Sequence, residues 1–411
     1  MNGFSLLFLL ALGTMVAVQW WLLQRQLRHV AAHRAAVPEA FASRISLADH
    51  QRAADYTRAR TRLGRWELLY GSGLLLLWTL GGGLNQLDRL WQIAELPELV
   101  RGVGLLLSAA LLMGMLDLPL AWYRTFRLEQ RYGFNRTTPA LFVSDLLKQT
   151  LLLFLFGAPL TALVLWLMAA AGPWWWLYVW LVWVGFGLLL LWAYPAVIAP
   201  LFNKFTPLEN AALAARIENL LQRCGFAASG LFVMDGSRRS AHGNAYFTGF
   251  GRHKRIVFFD TLLGSLNDAE IEAVLAHELG HFHHRHVRQR LIISALSSLA
   301  GLAVLGLLAQ APWFYHGLGI GQPSPATALL LFLLVAPVFT FFLQPLLARR
   351  MRRHEFEADA FAARHSAADH LVSALVKLYQ DNASTLTPDP LYSAFHDTHP
   401  PAPVRIAHLT R

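Results

Sequence analysis

Apolar runs of about 20 residues, the length a helix needs to cross a hydrocarbon core of about 30 Å, recur seven times along the chain. They cover Phe4–Leu23, Leu68–Leu87, Val103–Tyr123, Leu151–Ala171, Trp174–Ala199, Leu291–Ala311 and Thr327–Ala348. Lipid offers no partner to an open backbone N–H or C=O, so each run predicts a spanning helix. Apart from Asp117, no run contains Lys, Arg, Asp or Glu. An intramembrane carboxylate is costly, so Asp117 is expected to face protein or water, as a helix-to-helix hydrogen-bond acceptor or in a functional role. The first run reads as an uncleaved anchor: Met1-Asn2-Gly3 is uncharged, no small-residue cleavage site follows, and Arg25 and Arg28 come after it.

The polar segments between the runs carry an orientation signal. Gln24–Glu67 has nine Arg against four acids, and Arg124–Lys148 has five basic residues against two acids. Asp88–Gly102 has two Arg against three acids, while Gly172-Pro173 and Pro312–Ala326 have no charged side chain. Basic loops stay on the cytosolic side. Seven crossings with the N-terminus outside then place Pro200–Arg290 and the tail from Arg349 in the cytosol. This divides the chain into helices 1–5 with their inner loops (1–199), a cytosolic catalytic segment (200–290), helices 6 and 7 (291–348) and a C-terminal cytosolic segment (349–411). The charge pattern does not name the membrane; the expectation is the inner membrane if the chain is bacterial, and the endoplasmic reticulum or nuclear envelope if it is eukaryotic. Trp174, Trp175 and Trp176 sit where amphipathic rings favour the interface.

Composition agrees with a membrane protein. Of 411 residues 55% are hydrophobic and 15% charged, against about 25% charged in soluble chains. This excludes disorder, collagen and a disulfide scaffold, the last also because Cys224 is the only cysteine. The net charge, 35 − 25 = +10, lies beside apolar runs and reads as a topology signal, with no nucleic-acid partner implied.

Chemistry concentrates in Ser265–Arg290, a helical segment in which Asn267 and Glu270 form a capping-box pair. Within it His277-Glu278-Leu279-Gly280-His281 has the H-E-x-x-H pattern. Two imidazoles four residues apart share a helix face and reach one zinc ion, while Glu278 is placed as general base. Bound water at such a metal has a pKa of about 7, which suits carbonyl hydrolysis. His283, His284 and His286 read as a solvated face or interface contacts. A catalytic zinc takes a third protein ligand. Past the last run, Glu355 and Asp359 are four apart on one face of a helix continuing from the bilayer, so one can ligate while the other hydrogen-bonds a ligating imidazole. Spacing alone does not choose Glu355 over Glu357.

These residues resemble the type I CaaX prenyl proteases, integral-membrane zinc metallopeptidases. The resemblance covers most of the chain: the segments Glu129–Pro139, Pro200–Leu208 and Ser237–Phe250, the H-E-x-x-H helix, Glu355–Asp359 and His396–Pro401. It implies a mainly α membrane protein in which seven helices enclose a water-filled chamber, with a zincin-like cytosolic part containing a small β-hairpin. It implies one zinc held by His277, His281 and Glu355, with Glu278 as base and Asp359 as support. It further points to Asn244 as a substrate-binding residue and to His399 and Arg405 as donors to the oxyanion. The stretches Asn244–Phe250 and Arg255–Phe259 read as two strands around Gly251–Lys254, whose edge can bind an extended peptide. The chain departs from the family in its His-rich continuation Phe282-His283-His284-Arg285-His286.

The expected activity is zinc-dependent cleavage near the C-terminus of lipid-modified or membrane-associated peptides, with a peptide or protein substrate, prenylated or not, and membrane lipids as partners. The alternatives are a quality-control membrane protease without prenyl specificity, and a metal-binding receptor, transporter or inactive scaffold. A transporter would need ionisable residues along its path, and Asp117 alone is available.

Overall fold

The computed structural model describes residues 1–248 and 255–410, and helices dominate them. Among the described residues six helices are long and apolar enough to cross a membrane: Gly3–Ala32, Glu98–Glu129, Pro139–Ala170, Gly172–Phe202, His286–Leu308 and Pro325–His365. Side chains such as Leu10, Leu155, Trp166, Leu181, Trp192 and Leu307 stay exposed along them, a continuous apolar surface that only lipid covers without cost. The chain is a multi-pass membrane protein.

Six of the seven apolar runs map onto these helices. The run Leu68–Leu87 does not form one helix. The helix Leu47–Trp78 begins in the charged stretch containing Arg58, Arg60, Arg62, Arg65 and Glu67, and only its second half is apolar. The chain then turns through Gly81-Gly82-Gly83 into a second helix, Gly83–Ile93. Gly82 has φ +79°, and a Cβ on Gly81 would stand 2.8 Å from the Leu77 carbonyl oxygen. A turn this tight needs glycine. Asp117 is exposed on its helix and makes no hydrogen bond or ion pair with the described residues, so of the two roles left open it does not fill that of interhelical acceptor.

A four-stranded sheet lies beside the helices: β1 (Phe205–Pro207), β2 (Gly230–Met234), β3 (Ala245–Thr248) and β4 (Arg255–Phe259), in the order β1-β2-β4-β3. β3 and β4 pair antiparallel from Ala245↔Phe258 to Thr248↔Arg255. Residues 249–254, on which the expected turn and the end of the first expected strand fall, lie outside the described residues. The pair is not a free-standing hairpin, because β4 also pairs in parallel with β2. That leaves β3 as an edge.

The motif helix, Asp268–His283, is sandwiched between this sheet and two further helices. Ile256 and Phe258 of β4 pack in one core with Leu275 and Leu279, with Phe361 of the helix Gln344–His365, and with Leu371 of the helix Ala368–Asp381. Asn267 caps its start, accepting from the Ala269 and Glu270 N–H groups, and Glu270 accepts in return from the Asn267 N–H. The expected continuous helix to Arg290 is broken. Arg285 takes a left-handed φ of +57°, and a new helix starts at His286. The break reverses the chain enough to bring His286 back against His281.

Candidate active site

Local helix geometry puts His277 and His281 on one face, and tertiary packing brings the third group. The motif helix and the helix Gln344–His365 approach each other closely at Gly280. A Cβ there would meet Ala358 Cα at 2.8 Å and the Ala358 carbonyl oxygen at 3.0 Å. This contact aims Glu355, one turn before Ala358, at both imidazoles. Its Oε2 lies 3.4 Å from His277 Nε2, and its Oε1 lies 3.4 Å from His281 Nε2. Two donors bound at about 2.0–2.1 Å to one tetrahedral ion stand about 3.3–3.4 Å apart, so the three side chains have the spacing of a metal-ligand set. Their ligand atoms all fall within 4.8 Å of one another. Glu355 Oε2 is buried without a hydrogen-bond partner. A buried carboxylate oxygen left open is costly, and a cation between these donors removes that cost. The residues fit a divalent ion.

The other ring nitrogens are held as firmly. His277 Nδ1 donates to Asp359 Oδ1 at 2.8 Å. Asp359 is fully buried and also accepts two bonds from Arg405, Nε to Oδ2 at 2.9 Å and Nη2 to Oδ1 at 2.5 Å. Burial alone would lower the pKa of His277, but the bond to Asp359 and the neighbouring Glu355 carboxylate outweigh it and raise it to about 9. His281 Nδ1 lies 3.0 Å from His286 Nδ1, and His286 Nε2 lies 2.9 Å from Glu357 Oε2. His286 is completely buried and stacked on His354, with centroids 3.9 Å apart. It is therefore not part of a solvated face, whereas His283 is exposed and His284 half-buried. If His281 offers its Nε2 lone pair to a metal, its proton sits on Nδ1 and is donated to His286, whose own proton then faces Glu357. The sequence offers Glu357 only as an alternative ligand and His286 only as a surface or interface residue; their shared role behind His281 is missed there, since the left-handed turn at Arg285 that joins them to the site leaves no spacing signal.

Glu278 is half-buried, and its carboxylate has no hydrogen bond or ion pair among the described residues. It is free for water or substrate. His399 is largely exposed, with Nε2 at 3.4 Å from Glu355 Oε1. Arg405 is buried, with Nη1 at 3.8 Å from Glu355 Oε2. Asn244 is exposed just before β3, its side chain accepting from the Ala245 N–H. β3 itself packs on the motif helix through Phe247 and Phe282, with centroids 5.0 Å apart. A cavity of about 670 Å³ runs from His399 between the helix Leu47–Trp78 and the segment Tyr392–Pro401.

Residues 26–204 match the family described as CAAX prenyl protease N-terminal, five membrane helices, and residues 207–411 match peptidase family M48. A CAAX prenyl protease 1 homolog of Caenorhabditis elegans is 32% identical, covering 98% of this chain and 97% of its own length. The chain belongs to the type I CaaX prenyl protease family. An Arabidopsis thaliana CAAX prenyl protease 1 homolog is 38% identical over 71% of this chain and 69% of its own, and the human one 32% over 84% and 80%. The crystal structure of S. mikatae Ste24p superimposes with a TM-score of 0.93 at 28% identity, covering both chains completely. Membership makes this chain a metalloendopeptidase acting on a peptide or protein substrate, and implies a metal.

Proposed function

We propose that this chain is a zinc endopeptidase that hydrolyses peptide bonds near the carboxyl terminus of CaaX-type lipid-modified or membrane-associated peptides. The ligand-spaced triad His277, His281 and Glu355, with its open buried oxygen, carries the reading. The printed names of the relatives support the substrate class. His277, His281 and Glu355 would hold the zinc, which when bound supplies a Lewis acid for the scissile carbonyl and acidifies water.

The remaining work falls to the chain's own groups. Glu278, free and next to His277, accepts the proton of the attacking water and returns it to the leaving amine. Asp359 keeps the His277 proton on Nδ1, so that Nε2 faces the site. Arg405 spends Nε and Nη2 on Asp359, which leaves Nη1, 3.8 Å from Glu355 Oε2, as its only group facing the site. His399, exposed beside Glu355, is the oxyanion donor. The free edge of β3 and Asn244 before it hold the peptide extended. In the membrane, Leu47–Trp78 supplies the remaining crossing of a seven-span bundle around the cavity. The N-terminus lies outside and the catalytic side faces the cytosol, at a bacterial inner membrane or a eukaryotic endoplasmic reticulum or nuclear envelope.

The test is a peptidase assay in detergent on wild type and Glu278→Gln, with bound zinc measured in both. Retained zinc with lost cleavage is expected. Equal cleavage by the two would remove Glu278 from the mechanism, and no cleavage by wild type of any plain or prenylated peptide would favour a scaffold. Running one peptide with and without its prenyl group decides between CaaX processing and general membrane-protein proteolysis.

A further inference from the structure

An enzyme that cuts near a carboxyl terminus must measure from that end, and the cavity running from His399 offers one group suited to do so. Arg60 lies on the cavity wall, on the helix Leu47–Trp78, one turn beyond Tyr56. Its side chain is exposed to the cavity, with the guanidinium carbon 5.5 Å from the Tyr56 ring centroid. No carboxylate of the described residues lies within ion-pair distance of it.

The other charges on the wall are already matched. Arg124 pairs with Glu67. Glu129 accepts the Tyr56 hydroxyl on both oxygens at 2.7 and 2.8 Å and has His242 Nε2 at 3.8 Å. Burial pushes the Asp397 carboxyl up toward its neutral form, which weakens its opposition to an incoming anion. Leu63 and Leu128 line the same cavity, so aliphatic side chains and an anionic end are both accommodated. Arg60 reaches Tyr56 and acts on Glu129 through it without a direct ion pair, and a planar guanidinium with donors left over matches a carboxylate bidentately. His399 of the Tyr392–Pro401 segment lines the same cavity as Arg60 and stands 3.4 Å from Glu355 Oε1, so one cavity joins Arg60 to the edge of the metal-ligand set.

We infer that Arg60 binds the free C-terminal carboxylate of the substrate, and of the short aliphatic peptide released from it, so that the cut position is counted from the chain end. The inference rests on the reading that cleavage occurs near the carboxyl terminus, and its test is read by binding without turnover. Purified Glu278→Gln chain, with and without Arg60→Gln, is titrated with an N-terminally labelled Val-Ile-Ser tripeptide as free acid and as C-terminal amide, followed by anisotropy. With Arg60 present, the acid should bind on the order of 10- to 100-fold tighter than the amide, as charge-assisted hydrogen bonds do. Arg60→Gln should bring the acid to the amide's affinity and leave the amide unchanged, which also reports an intact fold. Arg60→Lys should keep part of the preference. Equal binding of acid and amide by the parent, or a loss in Arg60→Gln shared by both ligands, overturns the inference. Failure of the protease reading shows instead in the cleavage assay on wild type, which this titration does not use.

Discussion

Gly280→Ala tests whether the crossing of two helices sets the metal site. The new methyl would sit 2.8 Å from Ala358 Cα, 3.0 Å from the Ala358 carbonyl oxygen and 3.1 Å from Phe361 Cβ. None of these atoms is the end of a flexible side chain. Ordinary carbon contacts lie at about 3.5–4.0 Å, so relief requires the helices to part by roughly 0.7–1 Å. His281 is the next residue after Gly280, and Glu355 lies one turn before Ala358, so the carboxylate withdraws from the imidazoles by a similar distance. Ligand distances tolerate about 0.2 Å. Overpacking of this kind costs about 1–3 kcal/mol, and replacing a helical glycine by alanine returns about 0.8–1 kcal/mol in propensity. Thermal stability of the metal-free chain should therefore fall by no more than about 2 kcal/mol, and to the extent that the strain is instead relieved by parting the ligands, zinc affinity should weaken, by at most roughly 150-fold if all of it falls on the site. Chelator competition on the purified protein in detergent measures the affinity, and a thermal melt measures the fold. Gly264→Ala is the control, since a Cβ there meets nothing within 4 Å. Wild-type zinc affinity in Gly280→Ala would refute the argument that this contact aims Glu355.

His286→Ala or Glu357→Gln should weaken zinc binding by about 10- to 100-fold through loss of the bond that orients His281; an unchanged zinc dissociation rate would show that the ring needs no such partner. Asp359→Asn leaves buried Arg405 with only Glu355, at 3.8 Å, as counter-charge and should cost up to about 3–5 kcal/mol in a denaturation measurement; Arg405→Lys should also destabilise, since an ammonium cannot make the two-pronged bond to Asp359. Glu270 gives a pH signature. Burial would raise its pKa, but Lys377, the Asn267 N–H and Ser373 outweigh this and hold it below the ordinary value. Its contribution is therefore complete above the unfolded value of about 4.3 and lost as pH falls through the folded one. The gap in melting temperature between wild type and Glu270→Gln should close as pH drops below about 4.

What the sequence discloses here follows from how local each constraint is. Lipid demands contiguous apolar residues, so six runs read directly as helices, and His277 and His281 pair through a spacing internal to one turn. The seventh run misleads because hydropathy does not register the Gly81-Gly82-Gly83 turn that ends a helix at Trp78. β1 and β2 are three and five residues long, too short for periodicity to reveal. Arg285 is a non-glycine residue in the left-handed region, a choice enforced by the packing around it and without a signature in composition.

The choice between Glu355 and Glu357 shows why the third ligand stays ambiguous until helices are docked. Two residues apart on a helix point to nearly opposite sides, so any rotation that aims one at the imidazoles turns the other away. Glu355 and Asp359, four apart, both face His277, the first toward Nε2 and the second toward Nδ1. Glu357, on the other side, meets His286 and Arg353. The rotation itself is set where Gly280 lets Ala358 approach, a contact between residues 78 positions apart in the chain (358 − 280). A bulkier side chain at 280 would therefore displace the ligand and both supporting carboxylates together. It follows that the affinity lost in Gly280→Ala should not be recovered by substitutions at Glu357 or His286, because the defect lies in the separation of the helices and not in either imidazole's second bond.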